Sequence, residues 1–272
     1  MSILKEPGKR YIQVEIEVPG TPEEVWNAIA TGNGWTAWFT RTEIEERDGG
    51  AVAHYMGGGK SPGVVTAWEP PHRFAAEAPN YVPGAPPLGT EVLVEARSGD
   101  TCVVRLVNSL FTDASDWDGQ LDGVEGGWPA FLQVLRIYLS GFAGQHAAMA
   151  ELAGMTEGPK GRAFTELKDA LGLSDATVGS RVQSAAGSPP FTGILERADS
   201  HAVVLRMESP IQGAAVLGAH DCGGPVMTWM NLYAYGEGAE GVESAAAPLR
   251  EWMAKRFPMP APPAAPEVAA SA

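Results

Sequence analysis

The sequence predicts an α+β fold in which a curved antiparallel sheet wraps on a long C-terminal helix, followed by a smaller α+β domain. Three features of the 272 residues carry that expectation. A train of short strand-like segments is punctuated by Gly, Pro and Asp. A strand and a short helix precede the train. A long stripe of apolar residues at helical spacing closes it.

The opening segment from Arg10 to Val18, RYIQVEIEV, alternates apolar and polar residues as a half-buried strand does. Thr21-Pro22-Glu23-Glu24 then supplies a capping hydroxyl, a proline for the first helical turn and a carboxylate three residues after the cap, with Gly32 as the expected stop. Strands are predicted at Thr42 to Arg47, Gly50 to Met56, Gly63 to Trp68, Arg73 to Ala78, Thr90 to Ala96 and Thr101 to Leu106, separated by turn residues as in a meander. From Leu121 the period changes. Val124, Trp128, Phe131, Leu132, Leu135, Tyr138, Leu139 and Phe142 step by three and four along one helix face, with Pro129 as a candidate first turn after Gly123, Gly126 and Gly127. A sheet that grips one helix leaves a space between the two, which is where a ligand is expected.

Residues 10 to 143 resemble the START-like helix-grip (SRPBCC) superfamily, and within it the group named after the activator of the heat-shock protein 90 ATPase. The resemblance rests on VPGTPEEVWNAIATGNGWTAWF after the first strand, GVVTAWEPPHRF in the middle and GWPAFLQVLRIYL in the closing helix. It implies a helix-grip fold. Its members include lipid carriers, polyketide cyclases, hormone receptors and co-chaperones, so the fold does not choose among them.

The first domain is expected over residues 1–153, with the helix running on through Met149 and Leu152, and a linker over residues 154–161. The second, over 162–257, reads as helices near Phe164 to Leu171 and Asp175 to Ala185, strands at Phe191 to Arg197, Ala202 to Glu208 and Val226 to Tyr235, and a closing helix striped by Ala246, Leu249, Trp252, Met253 and Phe257. That order loosely echoes the first half and leaves open a degenerate START-like half. Residues 258–272 are Pro/Ala-rich and are expected to be disordered.

The charge balance bounds the partners. With 19 basic and 33 acidic side chains the net charge is −14, a field that repels phosphate backbones and anionic lipid surfaces. No nucleic acid and no membrane span is expected. Cys102 and Cys222 make no disulfide framework and no signal peptide is visible, so a cytoplasmic location is the expectation.

Four motifs invite chemistry and give way to plainer readings. Gly57-Gly58-Gly59-Lys60-Ser61 has the close of a phosphate loop, but His54 stands where the first glycine belongs and strand residues follow, so a hairpin turn is expected. Asp116, Asp118, Gly119, Leu121 and Glu125 fit a calcium loop whose first ligand position holds Ala114, and an acidic helix start reads better. Residues 164–184 imitate a helix-turn-helix but place Lys168 and Arg181 where small or apolar residues belong, so a packed helical hairpin is expected. His220-Asp221-Cys222 is too short to close a metal site alone, and no metal or cofactor is expected.

What remains is aromatic. Trp35, Trp38, Phe39, Tyr55, Trp68, Phe74, Trp117, Trp128, Phe131 and Tyr138 concentrate in the first half, where core filling competes with a ligand cavity as their explanation. The cavity reading puts Trp128, Phe131, Leu132, Leu135 and Tyr138 on the helix wall and Trp38, Trp68 and Phe74 opposite. His54, His72, Arg73, Glu77, Arg105 and Asn108 are candidate polar groups, subject to strand parity. The expected function is binding of a hydrophobic small molecule, a lipid or an aromatic polyketide. Two alternatives stay open: a cyclase- or hydrolase-like enzyme using His72, Arg73 or Glu77 as acid/base groups, and a co-chaperone-like module with a protein partner.

Overall fold

A computed structural model describes residues 3–79, 81, 84–221 and 224–259, without the side chains of residues 120 and 122–125. Val124 of the helix stripe, Glu125 of the acidic loop, Cys222 and most of the Pro/Ala-rich tail therefore lie outside the described residues.

The first half begins with β1 (Leu4–Glu6) and β2 (Lys9–Pro19), whose alternation buries Ile12, Val14 and Val18 on one face. At α1 (Pro22–Ala30) the capping box forms: Thr21 Oγ1 accepts from the Glu24 amide at 3.3 Å, and Glu24 Oε2 accepts from the Thr21 amide at 2.8 Å. The chain does not leave the helix layer at Gly32. Thr31 Oγ1 donates back to the Asn27 carbonyl and accepts from the Gly34 amide, so one residue closes α1 and opens α2 (Gly32–Trp38).

The meander follows as β3 (Arg41–Ile44), β4 (Ala51–Met56), β5 (Gly59–Glu69), β6 (Arg73–Ala78), β7 (Leu88–Arg97) and β8 (Thr101–Leu110). Gly57 and Gly58, both at positive φ, make the two-residue β4–β5 turn that the sequence favours over a phosphate loop. The sheet order is β1-β2-β8-β7-β6-β5-β4-β3, all antiparallel. α3 (Asp118–Gly141) starts well before Pro129, which sits inside it, and packs on β2. Its first turn is tied to β2 by the bidentate Arg10–Asp118 ion pair, so Asp118 of the calcium-like segment is occupied by a guanidinium.

Three expectations fail after Phe142. The helix does not run on: α3 ends at Gly141 and residues 147–156 form β9 (Ala147–Thr156). Met149 and Leu152 mimic a helical step, yet Met149 packs against one core and Leu152 lies in another, on opposite faces of the strand. The hinge expected from Gly154 starts later, because Gly154 to Thr156 complete β9 and Gly154 packs under Phe257. After α4 (Lys160–Leu171) the helix expected at Asp175 to Ala185 is absent, and with it the helical hairpin. Gly172 and Gly179 take positive φ, Val178 is exposed, and Arg181–Gln183 form β10.

β10 joins β11 (Thr192–Ala198), β12 (Ala202–Ser209), β13 (Gly213–Asp221) and β14 (Val226–Tyr235) in a second antiparallel sheet of order β10-β11-β12-β13-β14-β9, and α5 (Val242–Arg256) closes the chain. In each sheet the strand that precedes the helices pairs with the strand that precedes the closing helix: β2 with β8, and β9 with β14.

The two halves share a core. Ile12, Val104 and Leu106 of the first sheet, Leu132 and Leu135 of α3, and Val204, Val216 and Tyr233 of the second sheet belong to one buried cluster. The opposite face of the second sheet, with Leu205, Leu217 and Leu232, packs on Phe164 and Leu167 of α4 and Leu249 and Met253 of α5. The layers are therefore sheet, helices, sheet, helices. No helix among the described residues is long and apolar enough to cross a membrane.

Candidate functional site: an aromatic nest between the first sheet and α3

Strand alternation decides which candidates meet. On β6 Phe74 and Ala76 point to the core, so Arg73 and Glu77 stand on the opposite face of the sheet, where Arg73 pairs with Glu91 at 2.7 Å and Glu69 at 2.8 Å. Arg105 pairs outward with Glu15, and His72 is exposed in the β5–β6 turn. These groups are not brought to the helix side. A β-bulge in β5 between Val65 and Ala67 shifts the parity, so that Trp68 lies opposite Phe74 and joins it on the inner face.

Inside, α2 supplies the centre. Trp35 stacks on Trp38 with centroids 4.7 Å apart, and meets His54 at 5.2 Å and Phe74 at 6.1 Å. Phe39, the residue that caps α2, touches Trp35, Trp38, His54, Trp128 and Phe131, with Trp128 at 4.7 Å and Phe131 at 5.0 Å. Phe131 stacks in turn on Trp229 of β14, 10° from parallel. The cavity residues Trp38, Phe74, Trp128 and Phe131 are thus gathered, with Trp68 behind Phe74 and Leu132 and Leu135 in the same core. Tyr138 is not among them: it sits at the far end of α3 against Tyr235, 5.2 Å away.

These rings pack against one another within the first core. Two open clefts lie elsewhere and share Arg41 and Met149: one of about 410 Å³ where β3 and β4 meet β9 and α5, and one of about 460 Å³ where α2 and β3 meet the start of β9. Thr42 is in the wall of the second.

Four polar groups are embedded in the nest. Asn108 accepts from Trp128 Nε1 and donates to Gly89 O at 3.2 Å and Thr90 Oγ1 at 2.7 Å, so its amide is satisfied. Trp38 Nε1 donates to Ala28 O at 3.0 Å. His54 Nδ1 lies 2.9 Å from Thr42 Oγ1, and burial alone brings its imidazole down to about 4, so it is neutral at physiological pH. Trp35 differs: its Nε1 is buried and has no hydrogen-bond partner among the described residues.

Trp35 and Phe39 belong to the aromatic set visible in the sequence but not to the expected cavity wall. Thr42, Trp229 and Tyr233 carry no sequence signal for the site, because their roles depend on tertiary neighbours. Among the described residues no group of three or more His, Cys, Asp or Glu side chains is placed to hold a metal ion.

Comparison with known proteins follows this geometry. Residues 10–154 match the family model for polyketide cyclase/dehydrase and lipid transport. Similar solved structures include CalU16 from Micromonospora echinospora, at 24% identity over 49% of this chain and 78% of that one, with a TM-score of 0.41. The Aha1 dimer from Colwellia psychrerythraea is 21% identical over 47% of this chain and 95% of its own, TM-score 0.39. The di-domain ARO/CYC BexL from the BE-7585A biosynthetic pathway is 14% identical but spans 93% of this chain and 100% of its own, TM-score 0.45. No curated protein matches the chain.

Proposed function

The chain belongs to the polyketide cyclase/dehydrase and lipid-transport family, a START-like family, and from that premise we propose that it binds a flat, largely apolar small molecule between the first sheet and α3 in a helix-grip arrangement. The observation that carries this reading is the buried indole N–H of Trp35. Native interiors satisfy nearly every buried polar group, and an indole N–H buried among rings without a protein partner can donate to a ligand acceptor. Phe39 is the half-buried ring at the centre of the nest, so the ligand takes its place by displacing it. Burying about 300 Å² of apolar ligand surface contributes about 7 kcal/mol, equivalent on its own to a Kd of about 10 μM and reduced to the millimolar range once an association cost of about 4 kcal/mol is met, so polar contacts must supply any tighter binding.

The site residues of this reading are Trp35, Trp38, Phe39, Phe74, Trp128 and Phe131. The second half, over residues 162–257, then acts with β9 as a buttress that closes the nest from outside through Trp229 and Tyr233.

The test is a titration of the intrinsic tryptophan fluorescence with planar aromatics and fatty acids, joined to native mass spectrometry of the isolated protein. Saturable quenching with a one-to-one adduct is expected for a planar aromatic, and Phe39→Ala should tighten it by removing the displaced ring. If no compound gives a saturable signal with either protein, the reading is wrong.

A further inference from the structure

The two clefts outside the nest differ in charge. The one where β3 and β4 meet β9 and α5 is walled by Arg41 and Arg250 but also by Glu151 and Glu243, so its charges cancel. The other, of about 460 Å³ between α2, β3 and the start of β9, holds Arg41 and the exposed His146, and among the described residues no carboxylate lines it. In a chain of net charge −14 such a wall is a local reversal of the field. Its frame is held by Asn33 of α2, which donates to the Gln145 carbonyl at 3.0 Å and accepts from the Ala147 amide at 2.9 Å. The helix is thereby fixed against the strand, and Ala147, Ala148 and Met149 give the cleft an apolar side.

We propose that this second cleft binds a small organic carboxylate, with the acid group on the Arg41 guanidinium and the apolar body against Ala148 and Met149. The site lies outside the nest and does not depend on what the nest holds. Arg41 can exchange partners to serve it. Its present partner is Glu43, with Nη2 and Oε1 3.0 Å apart, and both side chains are more than half exposed, so that pair contributes little. Glu43 keeps a partner when Arg41 turns to a ligand, because the Tyr55 hydroxyl donates to its other oxygen at 2.8 Å. The guanidinium lies over the Tyr55 ring, 4.6 Å from the centroid, which holds the cation in place while its planar fork of N–H groups suits a carboxylate. The apolar side selects an organic anion over inorganic phosphate, which has nothing to bury against it. Because the cleft is open and salt screens its charge, an affinity in the millimolar range is expected.

The experiment uses the full chain with labelled methionine methyl groups and three probes: benzoate, benzamide and inorganic phosphate. NMR follows the Met149 methyl, assigned through Met149→Leu, together with the tryptophan indole N–H signals. Benzoate should shift the Met149 methyl saturably, and benzamide, of the same shape without the charge, should bind about tenfold more weakly. Arg41→Gln should lose about tenfold in benzoate affinity and leave that of benzamide unchanged. Arg250→Gln, in the charge-balanced cleft, should leave benzoate within about twofold of the parent. Phosphate should not compete with benzoate at equal concentration. Equal affinity for benzamide and benzoate, an Arg250→Gln loss as large as that of Arg41→Gln, phosphate binding as tight as benzoate, or no saturable Met149 shift by about 50 mM benzoate would each overturn the site. Benzoate that moves the indole signals and not Met149 would also overturn it, while supporting binding in the nest.

Discussion

The Tyr233 hydroxyl, on the second sheet, donates a 2.7 Å hydrogen bond to the backbone carbonyl of Phe39 at the end of α2. Tyr235 does the same for Ala37 at 2.9 Å. A helix end leaves carbonyls without intrahelical partners, and here they are met by side chains almost 200 residues away in sequence. Burial pushes both phenols well above their ordinary pKa, so they remain donors at any pH the fold survives. The second half thus holds in place the segment that presents Trp35 and Phe39.

Tyr233→Phe should therefore lower the unfolding free energy by about 1–3 kcal/mol, the cost of leaving a buried carbonyl unpaired. Urea denaturation measures it. Hydrogen exchange should also accelerate over residues 32–40 while α4 and α5 keep their protection. Equal loss across both halves would mean that the bond does not act on α2 in particular.

His54 makes stability depend on pH in a defined window. In the folded chain its pKa lies at about 4, below the ordinary 6.5, because the charged form is desolvated. Between these values the unfolded chain takes up a proton that the folded chain refuses. Stability from this group is full above pH 6.5, falls as the pH drops toward 4 and levels off below it, a loss of about 3 kcal/mol. Carboxylates titrate in the same range, so the comparison is with His54→Gln: the difference in unfolding free energy between pH 7 and pH 4.5 should shrink by about 2–3 kcal/mol in that variant. An unchanged difference would show that His54 is not the titrating group.

Much of this architecture is legible in the sequence, and the exceptions have local causes. The capping box at Thr21, the β6 strand from Arg73 to Ala78 and the stripe on α3 all follow from patterns that tertiary contacts do not override. α2 escapes because Gly32-Asn33-Gly34 reads as a stop, whereas Thr31 caps a new helix there. β9 reads as helix because its burial alternates from Ala150 to Gly154 while its residue types do not: alanines stand on both faces, so no apolar/polar alternation marks the strand. Within the site, Trp68 faces inward only through the bulge in β5, and Arg73 and Glu77 face outward by a parity that the sequence does not reveal. The pairing of Thr42 with His54 lies across two strands and has no signature in spacing.

Asn108 is a buried amide whose two ends have different duties. Its oxygen accepts from Trp128 and its nitrogen donates to Gly89 O and Thr90 Oγ1. Asn108→Leu should cost about 2–4 kcal/mol at every pH, since three groups lose a partner. Asn108→Asp separates the two ends. As a carboxylate it still accepts from Trp128 but cannot donate, and burial raises its pKa above the ordinary 3.9. The folded state then binds the proton more readily than the unfolded one, so this variant should gain stability relative to the parent as pH falls. Parallel pH profiles for parent and variant would refute the donor role.

Gly34 sets how closely α2 approaches α1, and so where the Trp35 ring stands. A Cβ added there would lie 2.5 Å from the Ala28 carbonyl oxygen and closer still to that of Asn27, both backbone atoms of α1 that cannot swing aside. The helix hairpin must open to admit even a methyl group, which also disturbs the Trp38 Nε1 bond to the same Ala28 carbonyl. Gly34→Ala should cost about 2–4 kcal/mol by overpacking, well above the ordinary effect of alanine in a helix, which is stabilising. Gly127, also helical but with no neighbour in the way, is the control: alanine there should be neutral or stabilising by up to about 1 kcal/mol. Near-ultraviolet circular dichroism reads the tryptophan stack directly, and Gly34→Ala should weaken that signal while Gly127→Ala leaves it intact. If both variants keep the parent spectrum and stability, α2 is not held against α1 by that glycine.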